Sequence, residues 1–289
     1  MAEQGSTPAV LGIGLLGDFR LVYGDAPVTS VNTPRLQTLM AYLVLHRHAP
    51  QPRQHLAFLF WPDSTEAQAR TNLRHLLHEL HRALPDAARY LLTDTQTAQW
   101  RPESSYTLDI ADFEAAVAAG SRDDLAAGVA RYRGDLLPGC YDDWIAAERA
   151  RLRQMCADAL ARLIALAEDQ RDYAAAVAYA DRLLQHDPTH EATYRSLMRL
   201  HALSGDRAAA LHIYHSCVAV LRRELGVPPD AATRALHASL LDDAALAQPP
   251  ARRPAAAGFP LVGRAAEWAQ LQAIWRSAAQ GRPHMALIG

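Results

Sequence analysis

Arg70, Thr71, Arg74, His75, His78 and Arg82 fall on one arc of a single helical stretch, with Arg70 at its flank. Their types suit the reading of DNA. A guanidinium fork matches the O6 and N7 edge of guanine or two phosphate oxygens, and hydroxyl and imidazole groups supply single hydrogen bonds to bases or backbone. Arg35 and Arg53, on shorter helices before that stretch, are further phosphate candidates, and Thr95 and Gln96 occupy the tip of a polar turn placed to act as a wing. His75, His78 and His81 share a helical face at three-residue spacing, which invites a metal, but no further ligand of suitable spacing accompanies them and no metal is assigned. No nucleophile elbow or paired-carboxylate pattern is present, so the reading is of a non-enzyme without cofactor. Cys140, Cys156 and Cys217 are isolated thiols, with neither a disulfide framework nor zinc-ligand spacing.

Those side chains need a helix that buries one side. Ala69, Leu73, Leu76, Leu80 and Leu84 supply the apolar stripe opposite the basic arc, and Asp63 or Ser64 is the predicted N-cap, with Glu66 adding negative charge at the positive end. Residues 11–31 read as a small strand meander broken at Gly17-Asp18 and Gly24-Asp25. Thr33-Pro34 opens a helix through LQTLMAYLVLH, and RQHLAFLFW forms a second that ends at Trp61-Pro62. After the long helix, which runs to about Leu84, residues 90–93 and 98–100 flank the turn Asp94-Thr95-Gln96, and 106–108 is a further strand-like run. Strands, three helices and a terminal hairpin make the order of a winged helix-turn-helix domain, with Leu39, Leu43, Leu56, Leu59, Leu73, Leu76 and Leu80 enclosing one core.

From Asp112 to about Leu241 the pattern becomes nearly continuous amphipathic helix. A shift of 34 residues lays Leu163 on Leu197, Leu166 on Leu200, Asp172 on Asp206, residues 174–176 on 208–210, and Val177 on Leu211. That period, with small residues at Ala176 and Ala210 and a turn glycine at Gly205, is the signature of tetratricopeptide-like helix pairs. Two repeats fall short of a stable stack, so helices at 112–133 and 143–156 are predicted to supply the missing neighbour. Trp144 reads as core, and Glu148, Arg149, Arg151 and Arg153 as helix-surface charges. Residues 243–258 read as an Ala/Pro-rich linker, and a new segment begins at 259.

The chain has 289 residues, 50% apolar and 21% charged, with a formal net charge of −2. Such a composition describes a folded protein of about two domains. It carries no apolar run long enough to span a bilayer and no signal-peptide layout at its start, which points to the cytoplasm. All 29 basic residues are Arg. With overall charge near zero, binding to nucleic acid must come from a local surface.

The strings ARTNLRHLLHELHRAL (69–84) and WPD (61–63) resemble the OmpR-type winged helix of SARP/AfsR regulators. YRGDLLPG (132–139), WIAAERARL (144–152) and residues 181–229 are similar to the bacterial transcriptional activator domain. The resemblance implies a mostly α chain: a winged-helix DNA-binding domain (α+β) at 12–110, followed by an all-α tetratricopeptide-like activator domain at 111–242. It further implies sequence-specific binding of promoter double-stranded DNA, contact with RNA polymerase and a possible homodimer on DNA, without a membrane. LVGR near 261–264 and MALIG near the end look like the entrance to a STAND-type nucleotide-binding domain, so 259–289 is expected to be the truncated start of one within a longer regulator. The rival reading is a protein-interaction scaffold, or the signalling front end of a STAND ATPase, that does not bind DNA directly. The first 110 residues carry nine Arg against ten Asp and Glu, which favours that rival.

Overall fold

A computed structural model describes residues 9–242. The linker expected at 243–258 and the nucleotide-binding segment expected at 259–289 lie outside the described residues. Three strands, β1 (Leu11–Gly14), β2 (Arg20–Tyr23) and β3 (Ala26–Pro27), form the meander, turning at Gly17 and Gly24, both at positive φ. Thr33 then accepts from the Leu36 amide and Pro34 occupies the first turn of α1 (Pro34–Leu45), as the Thr-Pro pair predicts. Strand β4 (Gln51–Pro52) leads directly into α2 (Arg53–Phe60), and α3 spans Glu66–Ala83. A short α4 (Ala87–Tyr90), the hairpin β5 (Leu91–Thr93) and β6 (Thr97–Trp100), and β7 (Tyr106–Leu108) follow.

The strands form two sheets. Hairpin β5–β6 joins β4 in the order β4-β6-β5, whereas β7 leaves the hairpin and pairs in parallel with β1, in the order β3-β2-β1-β7. Between them lies a core in which Leu39, Leu43, Leu56, Leu73 and Leu80 are buried, while Leu59 is half-buried. Tyr90 stacks on Trp100 at 5.7 Å, and the Tyr106 ring meets Trp100 edge-on at 5.8 Å. Those aromatic contacts bring the two sheets' ends together.

The helical part contains α5 (Asp109–Ala119), α6 (Arg122–Arg131), α7 (Trp144–Asp169), α8 (Tyr173–His186), α9 (Glu191–Leu203), α10 (Arg207–Glu224) and α11 (Ala231–Leu241). The helical stretch expected over 112–133 is split in two, because Gly120 adopts φ 76° as the C-cap of α5 and Ser121 caps α6 through the Asp124 amide. The helix predicted at 143–156 continues to Asp169. The 34-residue repeat is visible atom by atom: Asp172 and Asp206 cap α8 and α10 by accepting from Ala175 and Ala209, and Leu163, Leu197, Ala176 and Ala210 are fully buried.

No gap separates the first part from the second. The backbone after β1 runs alongside residues 135–137, with Gly17 N donating to Asp135 O at 2.9 Å and Leu137 N to Leu15 O at 3.0 Å. Asp109, opening α5, accepts the Leu15 and Leu16 amides at 2.9–3.0 Å. Trp144, half-buried, meets the Tyr42 ring edge-on at 5.0 Å. Of the four charges read as surface groups, Arg149 is instead a staple: its guanidinium donates to the carbonyls of Leu136, Leu137 and Cys140 at 2.8–3.0 Å. Folding the 136–140 loop back over α7 aims three carbonyls at one point, and only a multi-donor fork satisfies them together.

Candidate nucleic-acid interface

Helix α3 is capped at Thr65, one residue after Ser64, the later of its two predicted caps. Ser64 N is bonded to Trp61 O in the turn that ends α2, so Thr65 takes the extended backbone and its hydroxyl accepts from the Gln68 amide at 3.4 Å. From there the amphipathic pattern holds. Ala69, Leu73, Leu76, Leu77 and Leu80 are buried along one side, and Leu84 is buried just past the end. Arg70, Arg74, His75, His78 and Arg82 are exposed on the other, with Thr71 half-exposed.

Folding brings six of the ten candidate residues around one surface groove of 690 Å³: Arg53, Arg70, Thr71, Arg74, Thr95 and Gln96. Helix α3 forms one wall and the β5–β6 turn the other, with the start of α2 between them. Arg70 pairs with Glu66 one turn back at 2.5 Å, both well exposed, so the pair is easily exchanged for another partner. The Thr71 hydroxyl donates to Ala67 O at 2.9 Å, leaving oxygen lone pairs toward solvent. His75, His78 and Arg82 are on α3 beyond the groove's lining. Arg35 is elsewhere: it pairs with Asp142 at 3.2 Å, and its guanidinium stands 5.9 Å from the Trp61 ring centroid.

The turn forming the second wall is organised by Asp94, which the sequence places in the turn without assigning it a role. Asp94 Oδ1 accepts the amides of Gln96 and Thr97 at 2.6 Å, and Oδ2 accepts the Thr97 hydroxyl at 2.9 Å. Those donors, the Thr97 amide foremost, hold the Asp94 carboxyl below the usual carboxylate range. An Asp followed two and three residues on by free amides is an Asx-turn pattern, and the string DTQT contains it. Among the described residues no group of three His, Cys, Asp or Glu side chains could hold a metal ion, and no helix is long and apolar enough to cross a membrane.

With a basic helix face and a wing set across one groove from each other, the likenesses to known proteins become informative. Residues 103–241 match the bacterial transcriptional activator domain. The chain is similar to the transcriptional regulatory protein EmbR of Mycobacterium bovis and of Mycobacterium tuberculosis, 25% identical over 263 residues, covering 83% of this chain and 66% of EmbR. It is also similar to the transcriptional regulatory protein MoaR1 of Mycobacterium tuberculosis, 27% identical over 234 residues and 73% of each chain. A solved structure of Mycobacterium tuberculosis EmbR in complex with a low affinity phosphopeptide superposes with a TM-score of 0.62 at 22% identity, over 81% of this chain and 65% of that one. The fold is therefore shared. The chain spans just under two thirds of EmbR. The matched domain is one of transcriptional activators, and both relatives are transcriptional regulatory proteins.

Proposed function

We propose that this chain is a sequence-specific transcriptional activator that binds promoter DNA through residues 12–110. Helix α3 enters the major groove, where Arg70, Thr71, Arg74 and His75 face base edges, while His78 and Arg82 lie toward the backbone. The β5–β6 hairpin is the wing, with Thr95 and Gln96 at its tip. Residues 111–242 serve self-association or contact with RNA polymerase. The reading assigns the chain no catalysis and places it in the cytoplasm. The observation that carries it is the convergence of Arg70, Thr71 and Arg74 with the wing tip around one groove, on a helix whose opposite face is buried.

Selection of duplexes from a random pool by the 289-residue chain, followed by titration of the winner at several salt concentrations, tests it. The expected result is an enriched motif and a log–log salt slope of several units, from the counterions released at each phosphate contact. No enrichment, and no binding to any duplex at low salt, would overturn DNA binding in favour of the scaffold reading.

A further inference from the structure

By sequence Arg53 is a phosphate candidate. The structure gives its groups other work. Its guanidinium Nη1 donates to the carbonyl oxygen of Asp94 at 2.8 Å and its backbone amide donates to Gln96 O, also at 2.8 Å. Two bonds from the first residue of α2 thus straddle the wing tip, one on each side of Thr95. Just ahead of it, β4 pairs Gln51 with Ala98 and Pro52 with Thr97, so the base of the turn is sewn to the same segment. From inside, the Asp94 carboxylate gathers the Gln96 amide, the Thr97 amide and the Thr97 hydroxyl, and Asp94 N closes the hairpin on Thr97 O at 3.1 Å.

A two-stranded hairpin is marginal on its own in water, and its tip residues are exposed. Without external ties, Thr95 and Gln96 would sample many positions relative to α3. We propose that Arg53 and Asp94 form a latch that sets the wing tip at a fixed distance across the groove from Arg70 and Arg74. In this scheme Arg53 is a positioning residue, acting on DNA through the wing, and Asp94 is its counterpart inside the turn. The latch rests on the DNA-binding reading above, and deepens it by naming what fixes the wing. It also accounts for an acidic residue directly beside Thr95 and Gln96 in the wall of a surface offered to a polyanion. A carboxylate there repels phosphate, so its presence needs a structural return, and three accepted hydrogen bonds supply one.

The charge of Asp94 makes the proposal testable by sign. Removing a negative group from a DNA-facing surface strengthens binding if charge alone matters. The latch requires the opposite for Asp94→Ala: weaker binding, about 3- to 10-fold, the scale of one or two hydrogen bonds. Asp94→Asn keeps the oxygen that accepts both amides and should restore or exceed wild-type affinity. Arg53→Gln should lose a similar factor, and should lose no more when Thr95→Ala and Gln96→Ala are already present, because its effect passes through the tip. The probe is a fluorescent duplex selected from a random pool by the wild-type chain. Amide hydrogen exchange of residues 94–98 in the free protein gives a reading without DNA. Faster exchange in Asp94→Ala and Arg53→Gln, with exchange in Asp94→Asn unchanged, supports the latch. Tighter binding by Asp94→Ala, an Arg53→Gln loss fully additive to the tip variants, or unchanged wing exchange overturns it. A wild-type chain that binds no duplex overturns the DNA reading instead, and exchange still decides whether the latch exists.

Discussion

Arg74 and Arg82 differ in what surrounds them. Eight residues separate them, about 12 Å along the axis at 1.5 Å per residue, and the major groove is itself only about 12 Å wide. Arg74 lines the groove beside the β5–β6 turn and Arg82 does not, so in the proposed complex one helix end would meet bases while the other would leave the duplex. Arg74→Ala should therefore cost about 1–3 kcal/mol of binding and relax preference at one base position, whereas Arg82→Ala should weaken all sequences alike and lower the salt slope by about one unit. A panel of single-base variants of the selected duplex separates the two, and a uniform loss for Arg74→Ala with altered preference for Arg82→Ala would reverse the roles. Which face of α3 carries these residues was readable from the 3.6-residue pattern alone. Arg35 was not: its partner Asp142 lies 107 residues away, and no local pattern encodes a pairing across that distance.

At the level of elements, local signals worked at the start of α1, while the break that Gly120 makes between α5 and α6 went unread. Thr33 and Pro34 start α1, and the repeat's two aspartates start α8 and α10. They failed where neighbouring residues compete, as with Ser64, drawn into the preceding turn while Thr65 takes the cap, and where a strand chooses a distant partner, as β7 does with β1. The repeat also hides a conflict. Gly205, before α10, sits at φ 86°; the residue 34 positions earlier is Arg171, at φ 58°. The turn is the same in both repeats, yet only one has the residue that adopts it without strain, since a Cβ in the left-handed region costs roughly 1–2 kcal/mol. Arg171 is exposed. Arg171→Gly should therefore stabilise the chain by about 0.5–1 kcal/mol after the added freedom of the unfolded glycine is subtracted, and Gly205→Ala should destabilise it by at least as much. Urea unfolding of both variants checks this; destabilisation by Arg171→Gly would show that the turn holds no strain to release.

For the molecule as a whole, the sequence pattern divides the chain near residue 110, whereas contacts bind the described residues into one unit as far as His237. The junction is made of backbone hydrogen bonds and a few side chains, which composition and periodicity do not register. Asp135 is its most informative member. Its carbonyl accepts from Gly17 in the first part, and its carboxylate is held by both Arg153 and Tyr132, with Arg153 Nε at 3.1 Å and the Tyr132 hydroxyl at 3.0 Å. The Arg153 guanidinium, then the Tyr132 hydroxyl, hold the Asp135 carboxyl below its ordinary value against the opposing effect of burial. An acid whose pKa is lower in the folded than in the unfolded chain adds stability at pH values above the unfolded value, about 3.9 for Asp, and loses that contribution as pH falls through the folded value beneath it. Asn at this position has no such titration. Wild type should thus exceed Asp135→Asn by a constant margin between about pH 5 and 8, on the order of 1 kcal/mol for a half-exposed ion pair. The margin should shrink progressively below about pH 4, where the unfolded aspartate takes up its proton first. Urea denaturation of both chains from pH 3 to 8 measures the gap. A gap that stays constant to pH 3 would mean that Asp135 holds the junction through its shape and hydrogen bonds alone. A gap that widens on acidification would mean that burial, rather than Arg153, governs its proton.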